Sequence, residues 1–202
     1  MFREVLRQKL AGVACLTAQQ SSALEAHYGL LVRWNRVLNL TSIHDPAEVI
    51  ERHYCESVFL AVHLPAGALG IADLGSGAGF PGLAIAVLRP DCVVTLVEVH
   101  RRKAVFLREA SRRLPNVRVS PARFEDVSEA RFDRAVSRAV SYQDLAPALK
   151  RLASAADLLT GAEAPPVSLG FVWETPIRLP WGRNRFLRSG VSSDPTRSHG
   201  FT

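Results

Sequence analysis

Residues 71–82 read Ile-Ala-Asp-Leu-Gly-Ser-Gly-Ala-Gly-Phe-Pro-Gly, four glycines between a short apolar run and a second one, Leu83 to Leu88. A glycine-rich turn between a strand and its following helix lets the main chain approach a ligand closely, and the helix N-terminus adds free amides. The spacing admits two cofactor classes. Gly77, Gly79 and Gly82 satisfy the G-x-G-x-x-G fingerprint of dinucleotide sites, whereas Gly75, Gly77 and Gly79 satisfy the G-x-G-x-G arrangement of S-adenosylmethionine sites. A tight turn with no ligand would need fewer glycines.

Three further features separate the cofactors. Asp73 stands inside the end of the first strand, where it can hold the loop or meet the cationic amino-acid part of a ligand, and where a pyrophosphate would be repelled. Glu98 closes the second predicted strand, the place from which a carboxylate accepts hydrogen bonds from ribose hydroxyls. Phe124, Glu125 and Asp126 follow the third strand at the same edge, an aromatic to stack on adenine and acids to hydrogen-bond it. Together they favour S-adenosylmethionine, bound by Asp73, Gly75, Gly77, Gly79, Glu98, Phe124 and Glu125.

The elements that position these groups follow from periodicity. Phe2, Val5, Leu6, Leu10 and Val13, then Leu24, His27, Tyr28, Leu31, Trp34, Val37 and Leu38, recur at helical spacing and predict two amphipathic helices separated by Thr17 to Ser22. Asp45 as N-cap and Pro46 at the first helical position predict a third helix to about His63. From residue 70 short apolar runs alternate with helical patterns: GIADL, VVTLVEV, NVRVS and FDRAVSRAV read as strands, and FPGLAIAVLR and RRKAVFLREASRRL as helices. That alternation specifies right-handed βαβ units and a doubly wound, mostly parallel sheet, a Rossmann-like α/β fold. A helix over Gln143 to Arg151 and strands within ADLLT, VSLGFVWE and NRFLRSG would complete it. The expected domains are a helical extension over 1–65, a Rossmann-like domain over 66–190 and a disordered tail over 191–202.

Composition limits the partners. Of 202 residues 48% are hydrophobic, enough for a buried core, and no apolar run approaches the roughly 20 residues of a membrane span. Cys15, Cys55 and Cys92 are odd in number and widely spaced, which argues against disulfides or zinc and for a reducing, cytoplasmic compartment. The net charge is +6; three of the 25 cationic side chains are lysines and the other 22 are arginines. Arginine pairs with phosphate in a planar, bidentate way, so the balance fits a polyanion partner such as RNA, or equally a compositional bias of the genome, and position must decide. The candidates for contact are Arg36, Arg52, His53 and the Arg101-Arg102-Lys103 cluster, whose positive charge at a helix N-terminus opposes the dipole unless an anion is near.

RWNRVLNLTSI, DP, ERHYCES, IADLGSGAGFPGLAIAVLRP, VTLVE, RRKAVFLRE and FDRAVSRAV stand in order between Trp34 and Val140. In these motifs the chain resembles the RsmG (GidB) family of small-subunit ribosomal RNA methyltransferases. The resemblance implies a helical extension packed on a class I methyltransferase fold. It implies methylation of guanine N7 in 16S ribosomal RNA, free or within a precursor of the small subunit, with S-adenosylmethionine as cofactor. It implies cofactor contacts at Gly75, Phe80, Phe124, Glu125 and Arg138, with Glu98 at the ribose. The chain departs from the pattern at Glu56, where an aspartate is usual, and at Thr160-Gly161, where a lysine-glycine pair is expected.

An NAD-type oxidoreductase and a nonenzymatic RNA-binding module are the alternatives. The first lacks an evident Tyr-Lys or His-Asp pair, and the second leaves the glycine loop and Glu98 unexplained. Guanine N7 carries no proton, so the reaction expected of a monomeric, metal-free enzyme needs no general base.

Overall fold

Helices α1 (Phe2–Lys9) and α2 (Ala18–Leu38) open the chain in a computed structural model that describes residues 1–128 and 131–194. The expected spacer from Thr17 to Ser22 is almost wholly helical. Thr17 caps α2 by accepting from the Gln20 amide while the Gln20 side chain accepts from the Thr17 amide, a capping box that starts the helix at Ala18. Asp45 likewise caps α3 (Pro46–Val49), accepting from Glu48 N at 2.8 Å. The third helix then departs from the regular form expected of it: a π-helical segment, Ile50–Cys55, joins α3 to α4 (Glu56–His63). Residues 53–61 are buried without interruption, because this run lies between the extension and the sheet.

The rest of the chain alternates β1 (Gly70–Leu74), α5 (Gly82–Leu88), β2 (Val93–Val97), α6 (Arg101–Ser111), β3 (Val117–Ser120), a 3-10 turn (Phe124–Asp126), β4 (Phe132–Arg138), α7 (Tyr142–Leu152) and β5 (Ala153–Thr160). Three strands follow: β6 (Phe171–Trp173), β7 (Ile177–Arg178) and β8 (Phe186–Ser192). The sheet order is β3-β2-β1-β4-β5-β8-β6, with β7 also on β8. Strands β1 to β5 are parallel and β8 runs antiparallel to β5. Strand order reverses between β1 and β4, and ligands of such sheets bind at the carboxyl ends beside that switch point.

The tail expected over 191–202 does not start at residue 191. Val191 and Ser192 belong to β8, opposite Ala155 and Phe171, because β8 lies between β5 and β6 and its last residues pair with them; residues 195–202 lie outside the described residues.

Alternation along β1 sends Ile71 to the core shared with the extension, with Leu24, Leu31, Tyr54 and Phe106, and sends Ala72 and Leu74 to the core under α7, with Leu145, Leu149 and Leu158. Mid-sheet, Arg134 of β4 donates to Asp157 of β5 through Nε (2.5 Å) and Nη2 (2.9 Å), and Ser189 of β8 donates to the same carboxylate at 2.7 Å. Trp181, just before β8, donates to the Lys9 carbonyl at 3.2 Å and ties the C-terminal region to α1.

Candidate active site

The loop after β1 is built from what its glycines leave out. Gly75 (φ +76°) has no room for a side chain: a Cβ would lie 2.5 Å from Val140 Cγ2 and 3.9 Å from the Phe124 ring. Gly77 (φ +54°) is open instead, with nothing closer than 3.8 Å to a Cβ. The gap at Gly79 is filled from within, by Leu83 at 2.3 Å, so this glycine serves loop packing rather than clearing space for a ligand.

Two buried carboxylates hold the loop. Asp73 Oδ2 accepts from Gly82 N at 3.0 Å. Glu98, one residue past the last of β2, accepts from Gly77 N at 2.9 Å and His100 N at 2.8 Å, tying the loop to the turn into α6. Asp73 Oδ1 is fully buried and has no hydrogen-bond partner. Burial pushes the Asp73 carboxyl up to about 7, opposed by the Gly82 and Ser76 hydrogen bonds. A buried, unpaired carboxylate oxygen calls for a donor. The cationic amino-acid part of S-adenosylmethionine would supply one, and the remaining lone pairs of Glu98 can still accept from ribose hydroxyls, so these residues fit the cofactor. Phe124 stands beside Gly75 on the 3-10 turn, and Arg151 of α7 holds that turn by donating to the carbonyls of Phe124, Glu125 and Val127.

Beyond the end of β4 the sheet edge opens into a cleft of about 930 Å³, walled by the Asn39 to Ile43 segment, by Arg52, and by the segments after β4 and β5. Arg138 lines it. One face of its guanidinium lies 5.5 Å from the Phe80 ring centroid, and its Nη1 donates to the Arg52 carbonyl at 2.5 Å. Burial lowers the Arg138 pKa to about 10, which leaves it charged near neutrality. Ala139 follows with φ 59°, a left-handed backbone in a residue that is not glycine, at the lip of the cleft.

The sequence pattern described as GidB, rRNA small subunit methyltransferase G, matches residues 20–162. The chain belongs to that family. The ribosomal RNA small subunit methyltransferase G of Methylobacillus flagellatus is 37% identical over 170 residues, 81% of this chain and 82% of that protein. Its counterpart in Xanthomonas axonopodis is 43% identical over 128 residues, 62% of this chain and 59% of that protein. Among solved structures, a SAM dependent methyltransferase from Aquifex aeolicus superposes with a TM-score of 0.59 at 16% identity, covering 76% of this chain and 97% of that one. TrmK of M. capricolum, solved with S-adenosyl-homocysteine, superposes at 0.54 and 8% identity, over 69% and 68%. These two likenesses establish the class I fold that the GidB pattern implies.

Several GidB-motif residues sit differently from expectation. Phe80 is a core residue, 3% exposed, with its ring among His27, His53 and Tyr54. His53 does not present itself to RNA: it is 6% exposed, stacked on Phe80 at 4.9 Å, and its Nε2 pairs with Thr41 Oγ1 at 2.7 Å. Burial first, then Arg138 and Arg52, lowers its pKa to about 3, so the ring is neutral. Arg36 is exposed on α2 in a recess sharing Thr41 and Ile43 with the cleft, and Arg101 and Arg102 are exposed at the start of α6 with Lys103 half-buried. Glu125 is exposed on its turn. At the GidB lysine position, Thr160 accepts from Arg188 Nε of β8 at 3.0 Å, so a guanidinium stands behind the cleft wall there.

Some functional neighbours carried no sequence signal. Arg185, Arg151 and the His27–Ala78 contact link elements distant in the chain, and no spacing rule brings them together.

Proposed function

We propose that the chain methylates N7 of a guanine in 16S ribosomal RNA, with S-adenosylmethionine over the Gly75–Gly79 loop and the target base in the cleft beyond β4. The observation that carries this reading is the adjacency of two half-sites: a loop whose buried Asp73 Oδ1 lacks a donor, and a cleft of about 930 Å³, with Arg138 beside both. S-adenosylmethionine supplies a methyl group on a cationic sulfur, which keeps the bonding electrons as the N7 lone pair takes the methyl carbon. N7 has no proton to lose. The protein's work is therefore to hold the reactants in line and to shape the field around them.

Arg138 suits that task because part of it is already engaged. An arginine free to grip O6 and N7 together would occupy the attacking lone pair. With Nη1 on the Arg52 carbonyl and its face toward Phe80, the guanidinium is held for the cofactor carboxylate, a phosphate or O6 alone. Asp73, Glu98, Phe124 and Glu125 are assigned to the cofactor together with the main chain at Gly75, Gly77 to the clearance that admits it, and Arg36, Arg52, Arg101, Arg102 and Lys103 to RNA; the Cβ position of Gly75 is taken by Val140 and not by the ligand. The free thiols of Cys15, Cys55 and Cys92 suit a reducing cytoplasm. One chain carries both half-sites, as a monomeric enzyme requires.

Calorimetric titration tests the cofactor assignment: saturable binding of S-adenosylmethionine with no heat from NAD supports it, and the reverse result refutes it.

A further inference from the structure

We propose that Arg185 and Arg52, both anchored on the buried carboxylate of Glu56, form a phosphodiester-binding site at the wall of the cleft that grips the RNA strand beside the target guanine. The proposal rests on the reading of the cleft as the RNA pocket.

Glu56 opens α4 with 1% of its side chain exposed. An acid in such a position needs cationic partners. Arg185, just before β8, donates to Glu56 Oε1 through Nε (3.1 Å) and Nη2 (3.0 Å), and Nη2 also reaches Oε2 at 3.2 Å. Arg52, one helical turn earlier on the π-helical segment, brings its Nε to 3.3 Å from the same Oε1. Burial pushes the Glu56 carboxyl up, while Arg185, Arg138 and Arg52 pull it down.

The charges do not cancel. Three guanidiniums, from Arg52, Arg138 and Arg185, line the cleft, and one carboxylate lies beneath them. Glu163 at the rim and Glu48, 3.9 Å from Arg52 Nη1, are exposed and only partly offset the excess. Arg185 uses Nε and Nη2 on Glu56, which leaves its Nη1 edge for the cleft; its side chain is 25% exposed and that of Arg52 34%. Arg185 is fixed by three hydrogen bonds to Glu56, and Arg52, whose Nε is buried without a hydrogen-bond partner, is held by its ion pair with the same carboxylate, so both guanidiniums turn remaining donors to the cleft, in the planar geometry that suits a phosphate.

Position identifies the anion. The cofactor loop stands at the ends of β1 and β2, whereas Arg185 and Arg52 stand on the β5 and β8 side of Arg138, beside Thr160 and Gly161. A nucleotide whose base enters the cleft carries a phosphodiester on each side, and this wall would meet one of them. Glu56 is a positioning residue: it sets the two guanidiniums without touching RNA.

The test compares wild type with Arg185→Gln, Arg52→Gln and Glu56→Gln in filter binding of protein-free 16S rRNA across salt, alongside calorimetry with S-adenosylmethionine. Each arginine variant is expected to bind RNA about tenfold more weakly, with the slope of log affinity on log salt reduced by about one per lost phosphate contact, and to keep wild-type cofactor affinity. Glu56→Gln keeps both positive charges but loosens them, so its salt slope should stay near wild type while kcat/KM for RNA falls. Arg185→Lys retains charge without the bidentate fork and guards against a folding artefact: a slope near wild type with reduced affinity is expected. Unchanged slope and affinity in Arg185→Gln and Arg52→Gln overturn the site, as does loss of cofactor affinity with RNA binding intact, which would assign the arginines to the cofactor carboxylate. A wild-type protein that binds RNA with the expected slope but transfers no methyl overturns the function and not the site.

Discussion

The Nε2 of His27 lies 3.1 Å from the carbonyl oxygen of Ala78, joining helix α2 of the extension directly to the glycine loop. A carbonyl only accepts, so Nε2 carries the proton and Nδ1 accepts from the Tyr54 hydroxyl at 2.8 Å. Burial lowers the His27 pKa to about 4, which keeps this tautomer uncharged at neutrality. The extension thus contacts the glycine loop itself as well as covering the sheet.

Replacing His27 by Phe strands the Tyr54 hydroxyl and the Ala78 carbonyl in a dry interior. The expected cost is about 1 to 3 kcal/mol of stability, measured by urea unfolding, together with weaker binding of S-adenosylmethionine. Loss of stability with cofactor affinity intact would show that the contact serves packing alone.

Glu98→Ala removes the acceptor shared by Gly77 N and His100 N as well as the proposed ribose contacts. Cofactor affinity should fall by about 1 to 3 kcal/mol. Unchanged affinity in calorimetry would remove the assignment.

Asp73 predicts a pH dependence of binding. With its carboxyl pushed up to about 7, it is mostly protonated at pH 6, and a cationic ligand group then loses its partner. Affinity for S-adenosylmethionine should drop on the order of tenfold from pH 7.5 to pH 6, and Asp73→Asn should flatten the profile. Parallel profiles would contradict the contact.

The same group bears on stability. Its folded pKa lies above the unfolded value of 3.8, so the folded state holds a proton that the unfolded chain releases, and its contribution falls as pH rises from about 4 to 7. His27 and His53, lowered from 6.5 to about 4 and about 3, act in the opposite sense, losing their contribution as pH falls through that range. Asp73→Asn removes one side of this balance. Acidification from pH 7 to pH 4 should therefore lower the melting temperature more in the variant than in wild type, as calorimetry can check.

Asp157→Ala leaves Arg134 charged and unpaired between β4 and β5, with an expected loss of about 3 to 5 kcal/mol. Denaturant unfolding measures it; a loss below 1 kcal/mol would mean that water replaces the carboxylate.

Period and punctuation made the sheet legible. Strands such as GIADL and helices such as the one opening at Arg101 follow from local apolar spacing, and the glycine run at 75–82 marks the loop between them. Asp73 and Glu98 were recognisable because their place at strand ends is set by that same local pattern. What local pattern cannot carry is the tertiary pairing. Nothing in the sequence of α4 says that Glu56 faces Arg185, 129 residues away, and the π-helical segment that turns His53 inward beside Arg52 has no residue signature. A histidine beside Arg52 on a helix could face RNA or serve as a hydrogen-bonded packing group; its burial and stacking on Phe80 match the second.

The identity of the methylated atom is the most direct test of the proposed reaction. Purified protein, S-adenosylmethionine labelled in its methyl group, and small subunits or 16S rRNA lacking native modification can be combined, and the digested RNA read by mass spectrometry. The expected result is label in 7-methylguanosine at one position, with a single-turnover rate that follows no enzyme ionisation near neutral pH when both ligands saturate. No label in RNA, label on an exocyclic amine or ribose, or a rate that one Asp, Glu or His substitution frees from pH without altering binding would contradict it.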